Sequence, residues 1–344
     1  VREKEQEQMR WARTDARRLT LGLQTADLLR IYRQMVLARL VDERLAQLRA
    51  QGVTSGGAIC RGFEAAQVGC MEPLAIGTDY ILPYYRDLAV MLAIGIPPAT
   101  IFLNQFSRGT DPMSGGRMRP AQWNSRPLRV VSASGLVGTQ TLHAAGIAFA
   151  TKLRQEAAVA ITFFGEGATS EGDFHEALNF AGLHQLPVIF VCENNGIALS
   201  TPQAAQMAVA HVADRAANYG IPGVLVDGSD TLAVIATARE AFARARRGQG
   251  PTLIEILVPR LAPAAETPDP RDPLVVLGRY LLSRGDLTAE VDETLRGELA
   301  AQLDVAVRVA LDAPLPDPAS VGEHLFAPET PPEDQPDRAQ GKGG

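Results

Sequence analysis

Between residues 129 and 258, short runs rich in β-branched and aromatic residues alternate with longer stretches of helical period, and nothing else in the sequence narrows the fold as much. The strand-like runs fall at 129–132, 159–164, 188–192, 224–227 and 252–258. Helical patterns at 137–153, 171–184, 211–219 and 231–247 lie between them. Strands joined by crossover helices run parallel, and right-handed crossovers cover both faces of the sheet with helix. The spacing predicts an α/β fold built on such a sheet.

The flanking segments extend this frame. Apolar residues recur at three- and four-residue steps over 25–51, with Thr25 or Asp27 available to cap the start and Gly52 to end it. After a glycine-bearing turn at 55–58, helical patterns follow at 63–74, 85–94 and 98–106, and two more at 274–283 and 288–310. Residues 110–127 and 261–273 hold too many turn formers and prolines for regular structure, and long loops inside a compact domain are commonly functional. We expect a polar N-terminal arm over 1–20, one α/β domain with a helical C-terminal part over 21–311, and a Pro-rich, mostly irregular tail over 312–344.

Composition excludes several functions. With 33 Lys+Arg against 39 Asp+Glu the net charge is −6, which disfavours a general nucleic-acid binder. No apolar run approaches the roughly 18–20 residues that span a bilayer, so no membrane partner is expected. The opening residues mix acids with bases around no apolar core, unlike a secretory signal or a transit peptide, and a cytoplasmic protein is expected. Cys60, Cys70 and Cys192 lack metal-ligand spacing and sit near apolar neighbours, which reads as buried, reduced thiols.

The stretch 159–200, VAITFFGEGATSEGDFHEALNFAGLHQLPVIFVCENNGIALS, is the richest in chemistry. It reads as strand, Gly-Glu-Gly turn, helix, strand and Asn-Asn-Gly turn. In a parallel strand–helix–strand unit both strands end on the same sheet edge, and neighbouring tips lie about 5 Å apart. Glu166 past the first tip and Asn195 past the second then converge, offering a carboxylate and an amide oxygen. Hard oxygen donors suit Mg2+, which commonly takes one or two protein ligands and completes its octahedron with phosphate and water. Gly165 and Gly167 let a ligand approach the backbone, and amides at the next helix entrance can face phosphate oxygens. From the residues alone, other readings stay open. The turns can be ordinary and solvated. The glycines can belong to a dinucleotide fingerprint, although GEGATS lacks its third glycine. Glu171 and Asp173 can act as an acid–base pair, although the helix dipole explains acids at a first helical turn better.

The Gly-Glu-Gly turn, followed after about 26 residues by Asn-Asn, resembles the thiamine diphosphate-binding motif. More narrowly, residues 26–258 are similar to the alpha chain of the first, decarboxylating component of 2-oxo acid dehydrogenase complexes of the branched-chain, pyruvate and acetoin types. The resemblance implies the thiamine diphosphate-binding fold and an oxidoreductase that decarboxylates a 2-oxo acid. It implies that Glu166, the Asn195 side chain and the Ile197 carbonyl ligate Mg2+, with Gly167 and Ala168 beside the cofactor. Tyr85 and Arg86 match the family's diphosphate-binding pair, and the planar fork of arginine suits two parallel hydrogen bonds to phosphate oxygens. Gly135 and Val137 match positions whose backbone touches the aminopyrimidine ring. Ser134, Leu136, Thr139 and Gln140 match a K+ site of the branched-chain enzymes, and glutamate rather than aspartate at 166 also favours that type. The glutamate that activates the pyrimidine comes, in this family, from a beta chain. The implied partners are therefore a beta subunit in an α2β2 assembly with the cofactor at the interface, and a lipoyl domain of the acyltransferase component. Alone, the chain is expected to be inactive.

The sequence departs from that pattern in three places. Active members carry His and Ser in a loop after the last strand; here Arg260 is kept, but Pro263, Ala264 and Ala265 take their place. A second family histidine falls at Gln122, and a position often held by His or Gln before Glu-Ala is Phe63. Of the five histidines, His143, His175 and His184 lie in helical patterns, His211 at a helix entry and His324 in the tail. The departures open a second possibility, a paralogue without decarboxylase activity that serves as a structural or cofactor-binding partner of a beta-like chain.

Overall fold

The computed structural model describes residues 2–54, 60–261 and 269–326. Its strands are β1 (Tyr80–Leu82), β2 (Ala160–Gly165), β3 (Val188–Asn194), β4 (Ile197–Ala198), β5 (Thr201–Pro202), β6 (Gly223–Asp227) and β7 (Thr252–Leu257). Five of them form one parallel sheet in the order β1-β2-β3-β7-β6, while β4 and β5 pair antiparallel as a separate hairpin. The helices are α1 (Arg2–Leu21), α2 (Thr25–Ala50), α3 (Glu64–Met71), α4 (Leu88–Ala93), α5 (Pro98–Gln105), α6 (Thr139–Leu153), α7 (Gly172–Leu183), α8 (Thr231–Arg246), α9 (Pro273–Arg284) and α10 (Ala289–Asp312).

The central strands are near-continuous apolar runs because helices bury both their faces. Side chains alternate from one face to the other. Ile161 and Phe163 of β2, Ile189 and Val191 of β3, and Ile254 and Ile256 of β7 pack with α2, α3, α8 and α9. Their neighbours Ala160, Phe164, Val188, Phe190, Cys192 and Leu253 pack with α6 and α7 on the other side. The result is the expected α/β architecture, with helices on both faces and two C-terminal helices, of which α10 lies along α5 and α2. All three cysteines are buried free thiols, and burial pushes each thiol pKa up, so none is poised as a thiolate.

Several local expectations need correction. The run at 129–132 is not a strand: Val130 makes isolated bridges to Ile81 and Ser125, and the positive φ of Arg129 (52°) turns the chain. The edge strand is β1, three residues closed off by Pro83, too short to register as a periodic pattern. Residues 211–219 form a 3-10 segment (Val212–Tyr219) rather than an α-helix. The helix placed at 85–94 begins only at Leu88, so Tyr85 and Arg86 sit in the turn before it. Gln24, rather than Thr25 or Asp27, occupies the cap of α2, and its N–H donates to the Asp27 carboxylate at 3.0 Å. The turn at 55–58 lies outside the described residues.

The N-terminal arm is helical from Arg2 to Leu21. Its attachments are polar and aromatic: Arg17 pairs with Asp230 at the cap of α8, Tyr280 donates to Asp15 at 2.9 Å, and Trp11 packs on the Tyr280 ring. Docking of this kind leaves no apolar stripe in the sequence. Past α10, the Gly109 N–H donates to the Pro314 carbonyl at 2.8 Å, so the described part of the tail runs back along the 110–127 segment.

A buried ion network ties α2 to α3 and α9. Arg39 donates to both oxygens of Asp272 at 2.9 and 3.0 Å and to Glu64 at 2.5 Å. One turn on, Asp42 accepts the Cys60 N–H at 2.9 Å. Burial pushes the Asp42 carboxyl up from 3.8 to about 6, against the opposing pull of that N–H and of Arg39 and Arg61. A pKa raised on folding contributes stability below 3.8, and that contribution is lost as pH rises to about 6. Asn at this position keeps the acceptor and never ionises. Asp42→Asn is therefore expected to stabilise the full chain by about 2 kcal/mol at pH 8, with the gain shrinking towards pH 4. Urea denaturation at the two pH values checks this, and an equal difference at both contradicts it.

Candidate cofactor site

The parallel ladder pairs Gly165, the last residue of β2, with Glu193 of β3. The chain leaves both strands at the same level of the sheet edge, and Glu166 meets Asn195 there. The Asn195 N–H faces the Glu166 carboxylate, as do the Glu166 N–H and the Gln206 side chain. Glu166 is only 2% exposed, and its Oε1 has no hydrogen-bond partner among the described residues. Burial raises its pKa, while those donors and the positive charge of Arg86 oppose the rise. A buried carboxylate oxygen without a donor is costly unless a cation meets it.

The two asparagines divide the work. Asn194 is buried and structural: its amide donates to Glu255 at 2.6 Å and to Gln203 at 2.8 Å, and its Oδ1 accepts the Gly196 N–H at 2.8 Å. Asn195 stays at the rim, and its Oδ1 accepts the Ile197 N–H at 3.1 Å, which folds Ile197 back towards the same edge. Ala198 then packs over the Gly-Glu-Gly turn. A Cβ on Gly167 would come 2.5 Å from the Ala198 Cβ, so this approach needs glycine.

Beneath the rim lies a polar layer that the sequence did not reveal. Glu193 is fully buried, and its Oε2 accepts from the Tyr84 hydroxyl at 2.9 Å and from Gln67 at 3.2 Å. Burial pushes its carboxyl up to about 7. Burial, with the Glu193 charge next, also raises the carboxyl of Asp87, which accepts the Tyr84 N–H at 2.8 Å. Gln67 in turn donates to the Arg86 carbonyl at 3.1 Å and accepts the Ala89 N–H at 3.0 Å. This layer fixes the turn that carries Tyr85 and Arg86. A carboxylate directly after the apolar run VIFVC, still within the strand, was the available signal.

The opposite wall is the loop before α6. Tyr85, Gly135, Val137 and Ala168 line one cleft together with Ser134, Leu136, Gln140, Tyr84, Phe164 and Gly165. Gly138, at φ 88°, turns the loop into α6, which Thr139 opens, two residues later than the pattern starting at Val137 indicated. Ser134 accepts the Leu136 N–H at 3.0 Å, and Gln140 donates to the Phe163 carbonyl at 2.9 Å, leaving its amide oxygen. The Gln122 amide nitrogen lies beside Gly135, 3.2 Å from where a Cβ would stand. Glu171 caps α7 and Asp173 lies in its first turn, in keeping with a helix-dipole role.

Among the described residues no histidine lines this cleft. His175 bonds the Tyr219 hydroxyl, His184 packs on Phe180 and Phe149, and His211 caps the 3-10 segment. His143 and His324 are exposed. Arg260 is exposed, and Pro263, Ala264 and Ala265 lie outside the described residues. Among the described residues no group of three or more His, Cys, Asp or Glu could hold a metal, so a cation here would rest on Glu166, neutral oxygens and a ligand of its own.

Residues 32–319 match the dehydrogenase E1 component family. The chain belongs to that family. It is 41% identical over 325 residues to the 2-oxoisovalerate dehydrogenase subunit alpha of Bacillus subtilis, covering 90% of this chain and 98% of that protein. It is 38% identical over 315 residues to the 3-methyl-2-oxobutanoate dehydrogenase subunit alpha of Mycobacterium tuberculosis, covering 88% and 83%. To the pyruvate dehydrogenase E1 component subunit alpha of Staphylococcus aureus it is 38% identical over 282 residues, covering 78% and 73%.

The contact between Gly167 and Ala198 is open to test. Gly167→Ala is expected to cost about 1–3 kcal/mol by overpacking, and Ala198→Gly in the same chain to restore part of the loss. Urea denaturation of the single and double variants measures both. A Gly167→Ala variant as stable as the parent would contradict the close approach.

Proposed function

We propose that this chain is the alpha subunit of the first component of a 2-oxo acid dehydrogenase complex, of branched-chain type, holding the Mg2+-diphosphate end of thiamine diphosphate. One observation carries the reading: a buried Glu166 oxygen with no hydrogen-bond partner among the described residues stands beside the Asn195 turn, within the field of Arg86. That donor chemistry fits Mg2+ on a diphosphate. Glu166, the Asn195 side chain and the Ile197 carbonyl would hold the metal. Tyr85 and Arg86, with the turn at Gly167 and Ala168, would hold the diphosphate, and the backbone at Gly135 and Val137 would meet the aminopyrimidine ring. Ser134, Leu136, Thr139 and Gln140 offer hydroxyl, carbonyl and amide oxygens for a K+ ion beside it.

When bound, thiamine diphosphate supplies the electron sink for losing CO2 from a 2-oxo acid. What this chain's own residues do is bind and orient. Glu166 and Arg86 present opposite charges to the metal and the phosphates, and the Gln67–Glu193–Tyr84 layer keeps the Arg86 turn in place. The cleft opens between large apolar side chains: Tyr85 is 45% exposed, Val137 56% and Leu136 72%. An exposed apolar rim around a cleft favours a covering partner, which supports the cofactor lying at an interface with a beta subunit in an α2β2 assembly. A lipoyl domain of the acyltransferase component would then take the acyl group. No helix among the described residues is long and apolar enough to cross a membrane. We place the protein in the cytoplasm.

The second reading is a catalytically impaired paralogue that binds cofactor or supports a beta-like chain. The cleft without histidine favours it, since proton-handling groups are worth roughly 10²–10⁴-fold in rate. Co-expression with the beta-like chain separates the two. The first reading expects 2-oxo acid-dependent reduction of an artificial electron acceptor; tight cofactor binding with no turnover on any 2-oxo acid favours the second. In the same complex, Glu166→Ala and Asn195→Ala are expected to weaken Mg2+-dependent thiamine diphosphate binding by about 10-fold or more. Unchanged calorimetric affinity in both variants would overturn the metal assignment.

A further inference from the structure

We propose that the 3-10 segment Val212–Tyr219 is a brace that fixes the spacing of the two turns carrying Glu166 and Asn195, with Arg215 as the positioning residue on one side and Glu255 on the other. The inference rests on the metal reading above. On the first side, Arg215 Nη1 donates to the Thr169 carbonyl at 2.6 Å, and the Thr169 hydroxyl donates to the Glu166 carbonyl at 2.7 Å. Thr169 and Glu166 are both buried, so the guanidinium grips the Gly-Glu-Gly turn through a short chain shielded from water. A hydrogen bond from a charged donor is roughly twice as strong as a neutral one. On the second side, the Ala213 N–H donates to Glu255 Oε2 at 2.8 Å, and Glu255 Oε1 accepts the Asn194 amide at 2.6 Å. Asn194 in turn accepts the Gly196 N–H, so this arm ends on the Asn-Asn-Gly turn.

A brace works only if it is itself fixed, and two glycines wedge this segment in place. Gly223 of β6 lies against the Ala213 carbonyl and Gly182 of α7 against the Tyr219 carbonyl, each so closely that a Cβ would collide with the backbone oxygen. Val212 and Ala216 pack into the core beside α7. Glu255 is held as firmly, fully buried on β7 opposite Cys192 of β3. The two arms leave the segment two residues apart, at Ala213 and Arg215, and reach turns at the tips of different strands. Both act by placing the main chain from which the Glu166 and Asn195 side chains project. Mg2+ is sensitive to such spacing because it demands near-ideal octahedral geometry at about 2.0–2.1 Å, whereas Ca2+ accepts irregular oxygen sets at about 2.3–2.6 Å.

Titration calorimetry of the complex co-expressed with the beta-like chain tests this, with Mg2+–thiamine diphosphate and Ca2+–thiamine diphosphate as probes. Arg215→Met, which keeps an apolar stem and removes the donor, is expected to weaken the Mg2+ form by about tenfold and the Ca2+ form by less than about threefold. A purely structural defect would weaken both alike. Arg215→Lys, which keeps a cationic donor for the Thr169 carbonyl, is expected to bind the Mg2+ form within about threefold of the parent. Glu255→Gln leaves one acceptor for two donors and is expected to show the same selective loss as Arg215→Met. Should that buried substitution fail to assemble, the two Arg215 variants, at a half-buried position, decide alone. Equal losses for the two metals, a lysine variant as weak as the methionine one, or unchanged Mg2+ affinity in Arg215→Met would overturn the brace, and the cofactor reading would stand wherever Glu166→Ala weakens binding. If Glu166→Ala and Asn195→Ala bind the Mg2+ form as tightly as the parent, the metal assignment and the brace fall together.

Discussion

The register of one parallel strand pair sets the geometry of the whole site. Gly165 stands opposite Glu193, so the residues after each strand, Glu166 and Asn195, leave the sheet side by side. A slip of one residue would turn every side chain to the opposite face. Asn194 would lose its bonds to Glu255 and Gln203, and the apolar alternation of β2 and β3 would face the wrong helices. Core packing well away from the rim therefore holds the rim's donors together. That separation explains how a site of few polar groups stays defined before any ligand arrives.

Charge is distributed unevenly around this edge. Three acids, Glu166, Glu193 and Asp87, lie buried below a single arginine whose field reaches all of them. Burying carboxylates is unfavourable, and only part of the cost is offset by hydrogen bonds from Gln67, Tyr84 and backbone N–H groups. Such a place is predisposed towards a cation. On the proposed function, a divalent ion balances Glu166 while Arg86 and the ion share the phosphates. Among the described residues no imidazole lines the same cleft, and on the proposed function this chain's part is to anchor and orient the cofactor.

Much of this was legible in the sequence, for identifiable reasons. Buried parallel strands are long apolar runs and crossover helices have a clear period, so β2, β3, β7 and the helices between them stood out. Glu166 and Asn195 were readable because turn residues directly follow such strands. What could not be read depended on contacts between distant segments. Strand β1 has three residues, and α1 is docked by Arg17, Asp15 and Trp11 instead of an apolar stripe. The 3-10 form of Val212–Tyr219 has the same spacing of apolar residues as an α-helix over so short a span. The Gln67–Glu193–Asp87 layer joins three segments whose proximity only the fold creates.

The most direct measurement is a crystal structure of the complex with the beta-like chain, grown with thiamine diphosphate and Mn2+ in place of Mg2+ and recorded at the manganese edge. A single anomalous peak is expected at bonding distance, about 2.1 Å, from a Glu166 oxygen and the Asn195 side-chain oxygen, with the diphosphate on its far side. A peak elsewhere, or a Glu166 carboxylate turned away from the metal, would contradict the assignment.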